Sequence, residues 1–402
     1  MSAPRRIALV VHELVRVGGL PTMTDFLRRV AIESGRYQPD IITIATSAAD
    51  RSSVLLRSPR SWLRGIQVGT VTWRGIDHPH VGAWFSELEF QRYRPRRALT
   101  ALLQQYDLVQ VIAGTPAYAY AAAHVTCPLL VWTATTSWPD RASRFRTASV
   151  GRKAVSSLMI PIAQRYDRLA LRRADAVFAL SRYTLATVQP FAQPGRATLA
   201  PCGVDTALFQ PGAIPRRYIL STARFSDARK NVTLLLRAYA ETVRRRRTVP
   251  DLWLVGDAPS PANRVLMQEL GIAEHVRLLG EKSAKELAAL YREALMFVLP
   301  SDEEGLAIVV LEAMASGVPV VSTNCGGPAT AITDGETGLL TPIGDVSAMV
   351  SSIERVLDDE GLRKRIAHAA RRRIEDRFSI QAAGNVFLDK YDELLGRAPG
   401  QA

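Results

Sequence analysis

One stretch, Phe297 to Leu340, constrains the fold of this chain more than any other: FVLPSDEEGLAIVVLEAMASGVPVVSTNCGGPATAITDGETGLL. The apolar run Phe297–Leu299 stops at Pro300, acidic residues follow, and a helix-period stretch runs from Leu306 to Ala315. Gly317 and Pro319 close that predicted helix, and Val318–Ser322 reads as a second strand. Gly326 and Gly327 then precede Pro328 and a further predicted helix start. Strand, loop, helix, strand, Gly-rich turn and helix make a right-handed crossover unit of a parallel sheet. Such sheets bind ligands in the crevice beyond the carboxyl ends of their strands. Here that crevice would hold Glu303, Glu304 and the Gly-Gly turn.

The residue types suggest a ligand. A Gly-Gly pair ahead of a helix with Pro at its first position exposes backbone N–H groups, and the helix dipole favours phosphate there. If Glu304 and Glu312 are both helical, they sit about 80° apart around the axis and roughly 12 Å apart along it. Glu303 would point away from Glu312, so Glu304 is the better partner. Two carboxylates so placed would take hydroxyl pairs from opposite ends of a nucleotide-sugar, with its phosphates between them. Taken singly, Glu304 also suits a helix-start acid and Glu312 a surface glutamate; the Gly-Gly turn favours the ligand.

This segment resembles the signature of the retaining glycosyltransferases of family 4, which have the GT-B fold. The matching residues are Pro300, Ser301, Glu304, Gly305, Glu312 to Ala315, Gly317, Pro319 to Val321, Gly326 and Gly327. The resemblance implies an α/β chain of two Rossmann-like, doubly wound domains facing a central cleft. It implies that Glu304 and the residues after it, Gly305, Leu306 and Ala307, meet the donor sugar, and that Glu312 meets the nucleotide ribose. Two departures stand out: Leu306-Ala307 replaces Phe-Gly, and Thr330 stands where the family often has Glu.

The chain has 402 residues, 47% apolar and 22% charged, which suits two globular domains. Residues 1–205 read as the acceptor-binding domain, 206–378 as the donor-binding domain, and 379–402 as a terminal helix crossing back to the first. Strand-like runs occur at Arg6–Val11, Asp40–Ala45, Asp107–Ile112, Leu129–Thr133 and Ala176–Ser181, and again at Tyr218–Ala223, Leu252–Val255 and Val276–Leu279. Trp73 to Leu88 reads as irregular. The Pro- and Gly-dense stretch Pro194–Pro215 reads as a linker. No charged residue lies between Asp107 and Asp140, but Gly114, Pro116 and Pro128 divide that stretch into two buried strands around a helix rather than a membrane span. The N-terminal apolar run is too short for a signal peptide, and the three separate cysteines suit a reducing, cytoplasmic setting without a structural metal.

Charge is lopsided. Residues 1–210 hold 26 Lys+Arg against 13 Asp+Glu, so the whole excess of +13 lies there. Basic clusters at Arg57–Arg64, Arg92–Arg97 and Arg141–Lys153 include Trp62, Tyr93 and Phe145. Such a surface attracts an anionic membrane or an anionic acceptor; an Arg-rich but merely soluble surface is the plainer alternative. No helix-turn-helix, zinc-finger or RNA-recognition pattern points to nucleic acid.

In the second half, Arg224 and Lys230 flank a strand-to-helix loop. Two cations there neutralise a diphosphate without a metal and stabilise the leaving group as charge develops. Lys230 is preferred over Arg229 as the second cation because Lys-Asn just before the helix fits the family pattern better. In the first half, Gly18-Gly19 precedes a helix with Leu20, Met23, Phe26, Leu27, Val30 and Ala31 at helical spacing; by resemblance its backbone approaches the donor phosphates. His12, Thr133, Asp140 and Arg141 are acceptor-side candidates, with Thr135 and Ser137 near them. Some family members carry a His after the strand that here ends at Thr133; this chain has none. No Asp-x-Asp pattern and no His/Cys ligand spacing occur, so no metal and no bound cofactor are expected.

The resulting expectation is a metal-independent transferase. It moves a sugar from a nucleoside diphosphate sugar to a hydroxyl of a sugar, lipid-linked or other acceptor, with retention implied by resemblance. The alternatives are a catalytically degenerate nucleotide-sugar-binding partner subunit and a basic scaffold.

Overall fold

The computed structural model describes residues 4–12, 14, 18–139, 141, 150–212 and 217–396. The chain divides into two compact units. Unit 1 runs to Cys202 and resumes at Gly384; unit 2 is Gly203–Ala383.

Unit 1 is built on strands β1 Arg5–Val11, β2 Tyr37–Ile44, β3 Val68–Trp73, β4 Ile76–Val81, β5 Leu108–Ala113, β6 Leu129–Thr133, β7 Ala176–Ala179 and β8 Ala197–Leu199. They lie in the order β3-β4-β2-β1-β5-β6-β7-β8. All pairs are parallel except β3 with β4. Central strands covered on both faces are near-continuous apolar runs. Accordingly every residue of β5 and β6 is buried, including Gln110, whose amide donates to Val111 O at 3.2 Å.

Two expectations fail here. Trp73–Leu88 is not irregular: β3 and β4 form a hairpin across Arg74 (φ 52°) and Gly75 (φ 77°). Positive φ at both central positions is the two-residue turn that matches strand twist, and Arg-Gly is a weak form of its Asn-Gly signal. Pro194–Pro215 is not all linker, because Ala197–Leu199 pairs with β7. Between β5 and β6 the chain makes a 3₁₀ segment, Pro116–Ala122, rather than an α-helix.

The C-terminal helix Ile380–Leu394 ends in unit 1. Phe387 is fully buried against Trp132, Phe26 and Phe178, with ring centroids 4.7, 5.9 and 4.5 Å away. Burying such a ring contributes about 1.5–3 kcal/mol. Asp392, also fully buried, accepts hydrogen bonds from Tyr37 Oη at 2.6 Å and from Arg36.

Unit 2 carries β9 Tyr218–Ala223, β10 Leu252–Gly256, β11 Val276–Leu278, β12 Ala294–Leu299, β13 Val320–Thr323 and β14 Leu339–Thr341. All pairs are parallel, in the order β11-β10-β9-β12-β13-β14. The order reverses between β9 and β12, and the loops leaving these strands part in opposite directions. Sheet order therefore sets the Arg224–Lys230 loop beside the Pro300–Glu304 loop.

Candidate active site

The β9 loop is pinned from several sides. Asp227 accepts from Arg229 Nη2 at 2.8 Å and from Arg229 N at 3.1 Å. Burial pushes the Asp227 carboxyl up, but the Arg229 hydrogen bonds and charge outweigh it and hold the group down at about 2. Asn231 adopts a left-handed conformation (φ 40°) that Asn tolerates better than most residues. From there its Oδ1 caps the helix Val232–Arg245 through Leu234 N at 3.2 Å, while its Nδ2 donates to Asp302 Oδ1 at 2.8 Å. Asp302 N donates to Arg229 O at 2.8 Å, so backbone also ties the two loops together.

Across this junction Lys230 Nζ donates to Glu304 Oε1 at 2.7 Å, and Ser301 Oγ donates to the same oxygen at 2.7 Å. Both charged side chains are largely shielded, at 17% and 10% exposure. Glu304 Oε2 accepts nothing from the described residues. Arg224 is more open, at 58% exposure, with Asp227 3.9 Å away. The sequence pattern preferred Lys230 over Arg229 as the second cation; Arg229 braces the loop from within, and Lys230 reaches Glu304.

Glu304 is fixed by its backbone as well. Its N–H donates to Cys325 O at 3.4 Å, and Gly327 N donates to Glu304 O at 3.0 Å. A Cβ on Gly327 would come within 2.7 Å of Glu304 O and Leu306 N, so only glycine permits this approach. Glu304 is thus bridged to the Gly-Gly turn and is not helical. The helix starts at Ile308 because Ala307 turns left-handed (φ 64°) as its N-cap. The helical arithmetic relating Glu304 to Glu312 therefore does not apply. Nor does Pro328 open an α-helix; Pro328–Thr330 is one 3₁₀ turn, which leaves little dipole for a phosphate. Leu306, Ala307 and Thr330 are all buried, at 2%, 7% and 2% exposure.

Glu312 lies on the helix Ile308–Ala315, and its Oε2 accepts from Tyr291 Oη at 3.3 Å. Burial pushes the Glu312 carboxyl up to about 7. Tyr291, fully buried, was not among the sequence candidates, and Ser301 and Asn231 were matched to the pattern without a site role. Asn231 carried a signal, since it stands at a helix start.

In unit 1 the strand order turns between β1 and β5, and His12 sits there. Its Nε2 accepts from Gly114 N at 3.0 Å, and its ring stacks on Tyr118 at 4.0 Å. The neutral ring thus carries its proton on Nδ1, which is buried without a partner among the described residues. Burial lowers the His12 pKa to about 4. Thr135 Oγ1 and Ser137 Oγ are likewise buried and unpartnered among the described residues. Asp167 accepts from Ala117 N and Ser137 N, each at 2.8 Å, and burial raises it to about 6. Thr133 is fully buried, with its hydroxyl on Gly114 O at 3.2 Å and Thr135 O at 2.9 Å. It shapes the loop and is not open to an acceptor. Arg141 is held by Glu89 and by Tyr93 Oη at 3.3 Å. Asp140 lies outside the described residues. Gly18 caps the helix Gly19–Glu33, and its carbonyl accepts from Thr22 N at 3.2 Å.

Family models match both halves of the chain. "Glycosyltransferase Family 4" covers residues 17–208, and "Glycosyl transferases group 1" covers residues 206–373. The chain belongs to glycosyltransferase family 4. The fold of this family 4 chain is GT-B, with one Rossmann-like half in each unit. It is similar to the sucrose-phosphate synthase of Thermosynechococcus elongatus at TM-score 0.71 and 22% identity, over 98% of this chain and 99% of that one. It is similar to the Anabaena protein HepE, solved with UDP-glucose, at TM-score 0.68 and 16% identity, over 97% and 100%. By sequence it is 36% identical over 227 residues to the GDP-mannose-dependent alpha-(1-6)-phosphatidylinositol monomannoside mannosyltransferase of Mycolicibacterium smegmatis, covering 50% of this chain and 58% of that protein. The chain spans about half the length of the curated relatives it matches. Among the described residues no group of three His, Cys, Asp or Glu side chains could hold a metal ion.

Proposed function

We propose that this chain transfers a hexose from a nucleoside diphosphate sugar to an acceptor hydroxyl, without a metal and with retention at the anomeric carbon. The observation that carries this reading is the Lys230–Glu304 contact at the strand-order reversal of unit 2, beside the Gly326-Gly327 turn. Without donor, each charge satisfies the other. An arriving diphosphate takes over Lys230 and recruits the exposed Arg224. Glu304 is then released to accept from sugar hydroxyls, already oriented by Ser301 and its own backbone. The two cations hold the leaving diphosphate as its charge develops, which is the step an electrostatic catalyst accelerates. The acceptor hydroxyl attacks from the face the diphosphate leaves, and the departing phosphate takes its proton.

Glu312 accepts from the ribose, and Gly305, Leu306 and Ala307 border the sugar. His12 and Arg141 serve the acceptor, a sugar or lipid-linked hydroxyl compound that is anionic or membrane-associated. We place the reaction in the cytoplasm. No described helix is long and apolar enough to cross a membrane. The relatives' names cite both GDP-mannose and UDP-glucose, so the donor base is settled by experiment. The test is a thermal-shift panel with UDP, GDP, ADP and their sugar conjugates, without added metal. A ligand at a hundred times its dissociation constant adds about 2.7 kcal/mol. A selective shift with one nucleotide is expected; no shift with any, for folded protein, favours a degenerate partner subunit.

A further inference from the structure

Three polar atoms converge on one buried phenol in unit 2. Tyr291 stands on the helix Ala284–Glu293 and is fully buried, with its ring edge-on to Phe209 at 5.9 Å and tilted against Phe297 at 5.7 Å. Its Oη lies 3.2 Å from Thr222 Oγ1 near the end of β9, 3.1 Å from Val309 O and 3.3 Å from Glu312 Oε2. A phenol has one proton to give. Val309 O and an ionised Glu312 can only accept, so Tyr291 donates toward them and the Thr222 hydroxyl donates to Tyr291. Of the two acceptors the carboxylate is the stronger, because a hydrogen bond to a charged group is roughly twice as strong as a neutral one.

This bond engages one oxygen of Glu312. The other, Oε1, accepts nothing from the described residues, and Glu312 is only half-buried, so Oε1 is left for a ligand. Few charges bear on the carboxyl. Its own helix, Ile308–Ala315, holds no second titratable side chain, and β12 and β13 hold none. Thr222, the β9 member of the cluster, is neutral. From the helix Glu360–Arg377, Arg371 is spent on Ala315 O at 2.6 Å and on Glu375 at 2.6 Å. Burial pushes the Glu312 carboxyl up to about 7, and the Tyr291 hydroxyl is what pulls against it.

We propose that Tyr291, backed by Thr222, is the positioning residue of the donor site: its hydroxyl engages Glu312 Oε2, favours the charged carboxylate and leaves Oε1 turned to the ribose. This rests on the reading of Glu312 as the ribose acceptor. Phenylalanine would fill the same space, so what the hydroxyl adds is its hold on Glu312.

The test has two arms, both on the full chain. Carbon-13 NMR of glutamate-labelled protein follows the Glu312 carboxyl from pH 5 to 9 without ligand, its signal identified by its loss in Glu312→Gln. Isothermal titration with UDP and with GDP follows affinity at pH 7 and 9. In Tyr291→Phe the Glu312 midpoint is expected to rise by about one pH unit, the effect of losing one hydrogen bond to a charged group. About half of the carboxyl is then ionised at pH 7 in the unmodified chain and about a tenth in the variant, so nucleotide affinity should fall about fivefold at pH 7 and less than twofold at pH 9. The ring is kept, so Tyr291→Phe is expected to fold, checked by circular dichroism melting. Where it does not, Thr222→Val, which removes the donor behind the phenol, carries the same test with smaller shifts in the same direction. An unchanged Glu312 midpoint overturns the proposal. So does an affinity loss equal at both pH values, which is what a tyrosine needed only for packing would give. If neither UDP nor GDP binds the unmodified chain, the donor reading fails on that arm, while the carboxyl titration still decides whether Tyr291 governs Glu312.

Discussion

Both units reverse strand order next to their first strand, yet the two junctions are furnished oppositely. In unit 2 the junction is ionic: Lys230 meets Glu304, with Arg224, Asp227 and Arg229 alongside. In unit 1 it is neutral: His12 is kept uncharged by burial, stacks on Tyr118 and bonds Gly114 N. Topology thus supplies two equivalent crevices, and side-chain chemistry decides what each can hold. The ionic one suits a diphosphate and the hydroxyls beside it. The neutral one, with the unpartnered His12 Nδ1, Thr135 Oγ1 and Ser137 Oγ, suits hydroxyl groups.

The largest expected effect breaks the ionic junction. Lys230→Ala should lower kcat by at least about a hundredfold, the typical loss when one preorganised stabiliser is removed. Glu304→Gln should do the same with less effect on nucleotide affinity. Release of nucleoside diphosphate is the measurement, and unchanged turnover in Glu304→Gln would remove the assigned role of that carboxylate.

A smaller effect sharpens the comparison by pH. Glu312 sits near 7 in the empty site because burial disfavours its charge. A ribose that donates hydroxyls to it favours the ionised form and lowers that value. Binding therefore expels a proton below pH 7, and nucleotide affinity should weaken by up to about tenfold per unit as pH falls below that value. Above it the affinity levels off. Isothermal titration from pH 5.5 to 8 checks this, and Glu312→Gln should flatten the profile. A flat profile in the unmodified chain would mean that Glu312 does not meet the ribose.

The neutral junction should respond differently. His12→Phe removes one donor, so the acceptor KM should rise by about tenfold, consistent with one hydrogen bond, while nucleotide affinity stays put. Because His12 is depressed from 6.5 to about 4, the unfolded chain binds the extra proton between those values. The His12 contribution to stability is therefore complete above about pH 6.5 and is lost as pH falls toward 4. Denaturant melts at pH 7 and 4.5 should show this dependence reduced in His12→Phe.

Both sheets were legible in the sequence because buried parallel strands are uninterrupted apolar runs. Among the candidate donor residues, Glu304 stood out beside Pro300 and Gly305, whereas Arg224 and Lys230 stood out as cations on a strand-to-helix loop that has no Gly or Pro. What escaped notice depended on backbone state. The β3–β4 hairpin turns on a left-handed Arg74, a residue type that gives no warning. The helix expected from Leu306 begins only at Ile308, because nothing in an alanine announces the left-handed turn that delays its start. Tyr291 finds Glu312 only through tertiary packing, whereas Ser301 reaches Glu304 within the same loop, three residues on.

That alanine offers the subtlest test. Ala307 holds φ 64° as the N-cap of Ile308–Ala315, at the place where the family pattern has glycine. A left-handed conformation costs an L-residue roughly 1–2 kcal/mol, while glycine costs about 0.5–1 kcal/mol in lost chain freedom. Ala307→Gly should therefore stabilise unit 2 by about 0.5–1 kcal/mol, a rise of about 1–4 °C in its melting step. Ala307→Val should destabilise it, since a β-branched residue tolerates positive φ least. If Ala307→Gly lowers stability instead, the backbone there is not strained. The delayed helix start would then owe its geometry to the Gly327–Glu304 bridge alone. If it raises stability but weakens sugar-nucleotide binding relative to the bare nucleotide, the alanine methyl belongs to the sugar side of the ionic crevice, and the departure from glycine is a matter of donor fit rather than of folding.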